Sequence, residues 1–119
     1  MTIKESGGKV NISMTRGDSE SITVRCYEKT DGGESVFLPI EDGDTVYLTV
    51  RPDAEGEIVL QKVIEDFPDG AAVIPFAAED TAGLDFGDYV YDVQWTRGDG
   101  TVTTVIEPSR FRLKEEVTY

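Results

Sequence analysis

From Asp88 to Thr96 the chain alternates strictly, with Tyr89, Tyr91, Val93 and Trp95 on one side and Val90, Asp92, Gln94 and Thr96 on the other. A period of two is that of a half-buried β-strand, because successive side chains point to opposite faces of a sheet. Three rings and a valine on one face demand a second apolar layer. Burying a ring removes roughly 150–250 Å² from water, on the order of 4–6 kcal/mol each at about 25 cal/mol per Å² against an extended chain. No other stretch is as rich in rings, so the remaining segments are expected to pack around this one.

Those segments also read as short strands. Val10 to Met14 places Val10, Ile12 and Met14 on one face before the turn Arg16-Gly17-Asp18, and Ser19 to Glu28 turns Ile22, Val24 and Cys26 one way and Thr23, Arg25 and Tyr27 the other. Asp31-Gly32-Gly33 reverses the chain into Val36 to Ile40, where Pro39 limits pairing. After the turn Glu41-Asp42-Gly43-Asp44, Thr45 to Arg51 alternates again and stops at Pro52. Glu57 to Glu65 is apolar with no clean period, as a bulged strand would be. Pro68-Asp69-Gly70 turns the chain into a strand with Ala72, Ile74 and Phe76 inward, which Pro75 confines to an edge or a short run. Ala77 to Leu84 suits a single helical turn. Arg97 to Gly100 makes a tight hairpin into Thr101 to Ile106, an expected sheet edge with no charge before Glu107, and Phe111 and Leu113 resume the pattern beyond Pro108.

Short strands at intervals of about 8–14 residues, with no long amphipathic helix, imply an all-β fold. Asp85, Gly87 and Tyr89 at alternate positions match the tyrosine corner of immunoglobulin-type sandwiches, in which the tyrosine hydroxyl bonds backbone a few residues upstream. The expected architecture is an immunoglobulin-like antiparallel β-sandwich of about 7 to 8 strands with Greek-key connections. Residues 10–114 form its single domain, 1–9 a flexible start and 115–119 a tail. Antibody domains carry a cysteine where this chain has Tyr91, so packing rather than an inter-sheet disulfide must join the layers.

Composition narrows the function. The 24 acidic and 11 basic residues give a formal charge of -13, spread along the chain as a solvated surface is. Such a field repels phosphate backbones and anionic lipid, which excludes nucleic acid and membrane as partners. No apolar run reaches the length of a secretion signal core or a membrane span. Cys26, the single cysteine, reads as a small buried apolar residue. With no histidine, the usual base for serine or cysteine nucleophiles and the commonest zinc ligand are both missing. No Gly-rich loop matches a phosphate-binding motif. The chain is therefore expected not to be an enzyme, with no catalytic, cofactor-binding or metal-ligating residues, no cofactor and no small-molecule substrate.

Several residues nonetheless invite a functional reading. Arg16-Gly17-Asp18 and Arg97-Gly98-Asp99 repeat a triplet that presents a guanidinium and a carboxylate to adhesion receptors, but Gly beside Asp is also what a β-turn requires. Asp42 and Asp44, or Asp31 and Glu34, are oxygen donors of the type Ca²⁺ takes, yet no run matches the twelve-residue calcium loop, and solvated turns are the better reading. Tyr27, Tyr47 and Tyr119 are the candidates for a carbohydrate platform and lie scattered along the chain.

Met14 to Ser19, the Asp-Gly turn followed by Leu38, Val46 to Val50, Gly70 with its strand, Asp80-Thr81, Gly87 to Gln94 with both tyrosines, Asp99-Gly100 and Arg110-Phe111 occur in an order that resembles the N-terminal immunoglobulin-like domain of phage baseplate upper proteins and related small prophage tail proteins. The resemblance spans about Met14 to Leu113. It implies a non-enzymatic structural module of a phage or prophage tail or baseplate, partnered by other tail proteins or by copies of itself. It also implies a virion component made in the bacterial cytoplasm. Baseplate upper proteins continue beyond the point where this chain stops, which favours a small accessory tail component or an excised domain. The alternatives sharing the fold are a bacterial surface or adhesin module and a carbohydrate-binding sandwich.

Overall fold

The structure is a computed structural model that describes residues 2–3 and 10–115. It is an all-β sandwich. Its strands are β1 (Thr2–Ile3), β2 (Ile12–Thr15), β3 (Glu20–Val24), β4 (Cys26–Lys29), β5 (Ser35–Leu38), β6 (Thr45–Arg51), β7 (Leu60–Ile64), β8 (Ala72–Phe76), β9 (Gly87–Thr96) and β10 (Val102–Lys114), with one helical turn, α1 (Ala78–Ala82). A five-stranded sheet runs β2-β10-β9-β6-β7, a three-stranded sheet runs β1-β3-β8, and β4 and β5 form a separate ribbon. The chain crosses from one layer to the other between β1 and β2, β2 and β3, β7 and β8, and β8 and β9, and passes through the ribbon between β3 and β6.

β9 occupies the middle of the larger sheet, as its ring-rich face requires, with β10 and β6 antiparallel on either side. Tyr91, Val93 and Trp95 are buried. Opposite them Ile22, Val24, Ala72, Ile74 and Phe76 supply the inner face of the smaller sheet. The layers meet through Phe76 and Phe111, whose ring centroids lie 6.0 Å apart, and Tyr91 stands edge-on to Phe111 at 6.1 Å. Both spacings fall in the favourable range for aromatic pairs.

The tyrosine corner is present: the Tyr89 hydroxyl donates to the Asp85 carbonyl at 2.6 Å. One residue pair on, the Tyr91 hydroxyl donates to the carbonyl of Val10 and fastens the start of β2 to the core. The strand at Thr45–Arg51, the short strand carrying Pro75 at a sheet edge, and the helical turn before the corner form as the sequence implies. Gly70, at φ 73°, is required at its turn, since a Cβ there would stand 2.7 Å from Cβ of Pro39.

The structure departs from the sequence expectation in several places. The run Ser19 to Glu28 keeps one buried face but divides at Arg25, β3 pairing with β8 and β4 with β5, so the strand segments outnumber the seven or eight expected. Two pairings, β1 with β3 and β2 with β10, are parallel rather than antiparallel. The mixed pattern at Glu57 to Glu65 reflects an edge strand, not a bulge: β7 keeps an unbroken register from Val46↔Ile64 to Val50↔Leu60, with Leu60 and Ile64 against the core and Ile58 and Val63 exposed. Bulges occur instead in β10, between Thr104 and Ile106 and between Ile106 and Ser109, the second taking up Pro108. Among the described residues β2 borders β10 only along Phe111 to Lys114, which leaves 102–106 beside β9 alone. A bulge interrupts that edge between Thr104 and Ile106, and Val102 on it is exposed. Thr2–Ile3 pairs with Thr23 and Val24 inside the segment expected to be flexible; the rest of 1–9, and 116–119, lie outside the described residues.

Candidate functional site

At the end of the larger sheet where β6 begins and β9 finishes, the turn 41–44 faces the hairpin 97–100 across a groove of about 500 Å³. Trp95, Arg97, Asp44 and Pro39 are among its lining residues. Asp44 is buried and bonds both loops. Its Oδ2 accepts from the Glu41 backbone N–H at 3.0 Å and from Trp95 Nε1 at 3.0 Å, and its Oδ1 accepts from the Gly98 backbone N–H at 2.9 Å. Burial alone would raise its pKa, but these three donors and the charge of Arg97 outweigh it and hold the carboxyl below its ordinary value. The Arg97 guanidinium lies 4.1 Å from the centroid of the Trp95 ring and donates to the Thr103 hydroxyl at 2.6 Å. Asp99 receives the Thr101 backbone N–H at 2.8 Å, and the Thr101 side chain first, with that backbone contact second, holds its carboxyl below the ordinary value.

These contacts decide the sequence candidates. In the second Arg-Gly-Asp triplet every residue is engaged in holding the hairpin, which closes by Arg97 N–H to the Thr101 carbonyl and Gly100 N–H to the Arg97 carbonyl. In the first, Asp18 N–H closes a turn on the Thr15 carbonyl, Gly17 N–H donates to the Thr81 hydroxyl, and Arg16 reaches the Leu84 carbonyl and the Phe86 ring. The triplet thus sits one residue out of step in the two turns, which close from Thr15 to Asp18 and from Arg97 to Gly100. Asp44 spends about three of its four lone-pair sites on N–H donors, while Asp42 lines the groove beside it. Asp31 and Glu34 are exposed around a hairpin closed by Thr30 N–H to the Glu34 carbonyl. No three His, Cys, Asp or Glu among the described residues are grouped so as to hold a metal.

Tyr27 packs on Phe37 in the β4–β5 ribbon, at 5.6 Å between centroids, and Tyr47 lies in the five-stranded sheet, so the two share no platform; Tyr119 lies outside the described residues. Cys26 is buried, and burial pushes its thiol up to about 11 against a small opposing effect of Arg97. Across the layers, Lys62 pairs with Asp80 at 2.5 Å, and Asp80 also receives the Ala77 backbone N–H at the start of α1.

One cluster escapes sequence reasoning. On the outer face of β10, Arg110, Arg112 and Lys114 project together and are exposed. Arg112 pairs with Asp88 on β9 at 2.9 Å, and Arg110 lies 3.8 Å from the same carboxylate. The alternation behind Pro108 was the available signal, but it needs the β9 register to show which carboxylate faces the strip.

No family model matches the chain, and no curated protein does. Among solved structures it is similar to the N-terminal domain of phage TP901-1 ORF48, with a TM-score of 0.50 and 14% identity over 98% of this chain and 97% of that one. At that identity the likeness concerns the fold alone: from end to end, this sandwich is shared with a domain of a phage protein.

Proposed function

We propose that this chain is a non-enzymatic structural module of a phage or prophage tail or baseplate, acting by protein–protein assembly as an immunoglobulin-like domain spanning residues 10–114. The observation that carries the reading is the end-to-end likeness to the N-terminal domain of a phage protein, joined to the order of turn and core residues noted in the sequence. The side chains with the most chemical promise add support, because Asp44, Arg97, Asp99 and Arg16 are engaged in joining turns to strands. Its partners are other tail components or further copies, and its place is the virion after synthesis in the bacterial cytoplasm.

The test is co-expression with each tail protein encoded beside it, followed by size-exclusion chromatography with light scattering. A stable complex with at least one neighbour is expected. A chain that stays monomeric and elutes apart from all of them would sink the assembly role.

A further inference from the structure

Between β2 and the C-terminal half of β10 lies a shallow concavity of about 160 Å³, lined by Asn11, Ile12, Ser13, Arg110 and Arg112. Its chemistry inverts that of the molecule. In a chain of net charge -13, three cations, Arg110, Arg112 and Lys114, stand on alternate positions of one strand face, the first two beside the carboxylate of Asp88. Arg112 uses Nε and Nη2 on Asp88, and Arg110 touches that carboxylate only at 3.8 Å, with over half its side chain exposed. Asn11 accepts the Arg110 backbone N–H through Oδ1, which turns its amide hydrogens outward as donors. Among the described residues β2 is the last strand of its sheet, and its far side presents backbone groups of the kind one more strand pairs with.

Two guanidinium groups, an amide and the Ser13 hydroxyl around a concavity of side-chain size form a receptor for a carboxylate. We infer that this strip docks an extended acidic segment of another protein, which lies along β2 and places a carboxylate between Arg110 and Arg112. This rests on the reading of the chain as an assembly module and names the surface it would use. A second copy fits less well, since two bodies of charge -13 repel before their small cationic strips can meet. Nucleic acid fits less well for the same reason, and three cations neutralise too few phosphates.

The test is an NMR titration of the ¹⁵N-labelled chain at 0.15 M salt with a capped nonapeptide of alternating threonine and glutamate. Shifts confined to 11–15, 88–90 and 110–114 are expected. Binding should weaken at least tenfold in the double variant Arg110→Gln/Arg112→Gln and remain unchanged in Arg25→Gln, which removes a cation between β3 and β4, outside the five-stranded sheet. Both variants replace partly exposed side chains, and unchanged melting temperatures would verify their folding. Four results overturn the inference: no shifts, equal shifts with the lysine analogue of the peptide, equal shifts with a single-stranded oligonucleotide, or shifts at these residues on raising the protein concentration alone, which would make the strip a self-contact. A complex with a tail protein that survives intact in the double variant would remove this docking surface and leave the assembly role standing.

Discussion

Replacing Asp44 by alanine removes three hydrogen bonds at once. The Trp95 indole N–H belongs to a side chain only 4% exposed, so its loss of a partner costs about 1–3 kcal/mol. The Glu41 and Gly98 backbone donors lie in surface turns where water replaces the carboxylate in part, which adds about 0.5–1 kcal/mol each. The total, about 2–5 kcal/mol, is a large part of the roughly 5–15 kcal/mol that holds a domain of this size together, and on the order of 10 °C in Tm. Asp44→Asn keeps the shape and one accepting oxygen, so its cost should be intermediate. Acidity supplies a second arm. The folded-state pKa is lowered, so the contribution is fully present above the unfolded value of about 3.9 and is lost as pH falls through the folded value. The gap between wild type and Asp44→Ala should therefore narrow below about pH 4. Urea denaturation read by Trp95 fluorescence, across pH 3 to 7, measures all of this. A loss below about 1 kcal/mol at pH 7, with an unchanged m-value, would refute the claim that this carboxylate joins the two loops.

Tyr89→Phe should cost about 0.5–1 kcal/mol in the same assay, because the corner hydrogen bond to Asp85 is solvent-exposed; an unchanged midpoint would remove the corner as a stabilising feature. Cys26 should react with a thiol reagent at neutral pH only at the rate of unfolding, since it is buried with a thiol pKa of about 11, and rapid labelling of the native protein would contradict that placement. Gly70→Ala should destabilise by about 1–3 kcal/mol, because the residue holds φ 73° with Pro39 in the way of a Cβ, and a neutral result in thermal melts would mean the turn can refold around it.

Much of the sandwich was legible because its strands are half-buried and alternate. Tyr91, Val93 and Trp95 announced their face, and Val46, Leu48 and Val50 did the same between a turn and Pro52. Asp85 and Tyr89 gave the corner because its spacing is fixed by a single local hydrogen bond. The division of β3 from β4 left no trace, since Ile22, Val24 and Cys26 stay on one face while the pairing partner changes at Arg25. Burial has a sequence period, whereas partner identity does not. β7 was illegible for another reason: an edge strand buries only part of its inner face, so Ile58 and Val63 add apolar residues without adding pattern. Asp44 could not be told from Asp42 in the same turn, because what separates them is the Trp95 indole and the Gly98 amide, more than fifty positions away. The cationic strip was hidden similarly, its opposing carboxylate being set by the register Arg112↔Asp88.

The parallel pairing of β2 with β10 has a mechanical consequence. Ile12 lies beside Phe111 and Thr15 beside Lys114, so the first core strand and the last run side by side in the same direction. Tension that enters before Ile12 and leaves after Lys114 pulls these strands along their length in opposite senses. The hydrogen bonds between them are then loaded in shear and must fail together, rather than one after another as in a hairpin peeled from its open end. The Tyr91 anchor on Val10 and the burial of Ile12, Met14, Phe111 and Leu113 add to that resistance. Under such a load the two end strands part as a unit rather than strand by strand.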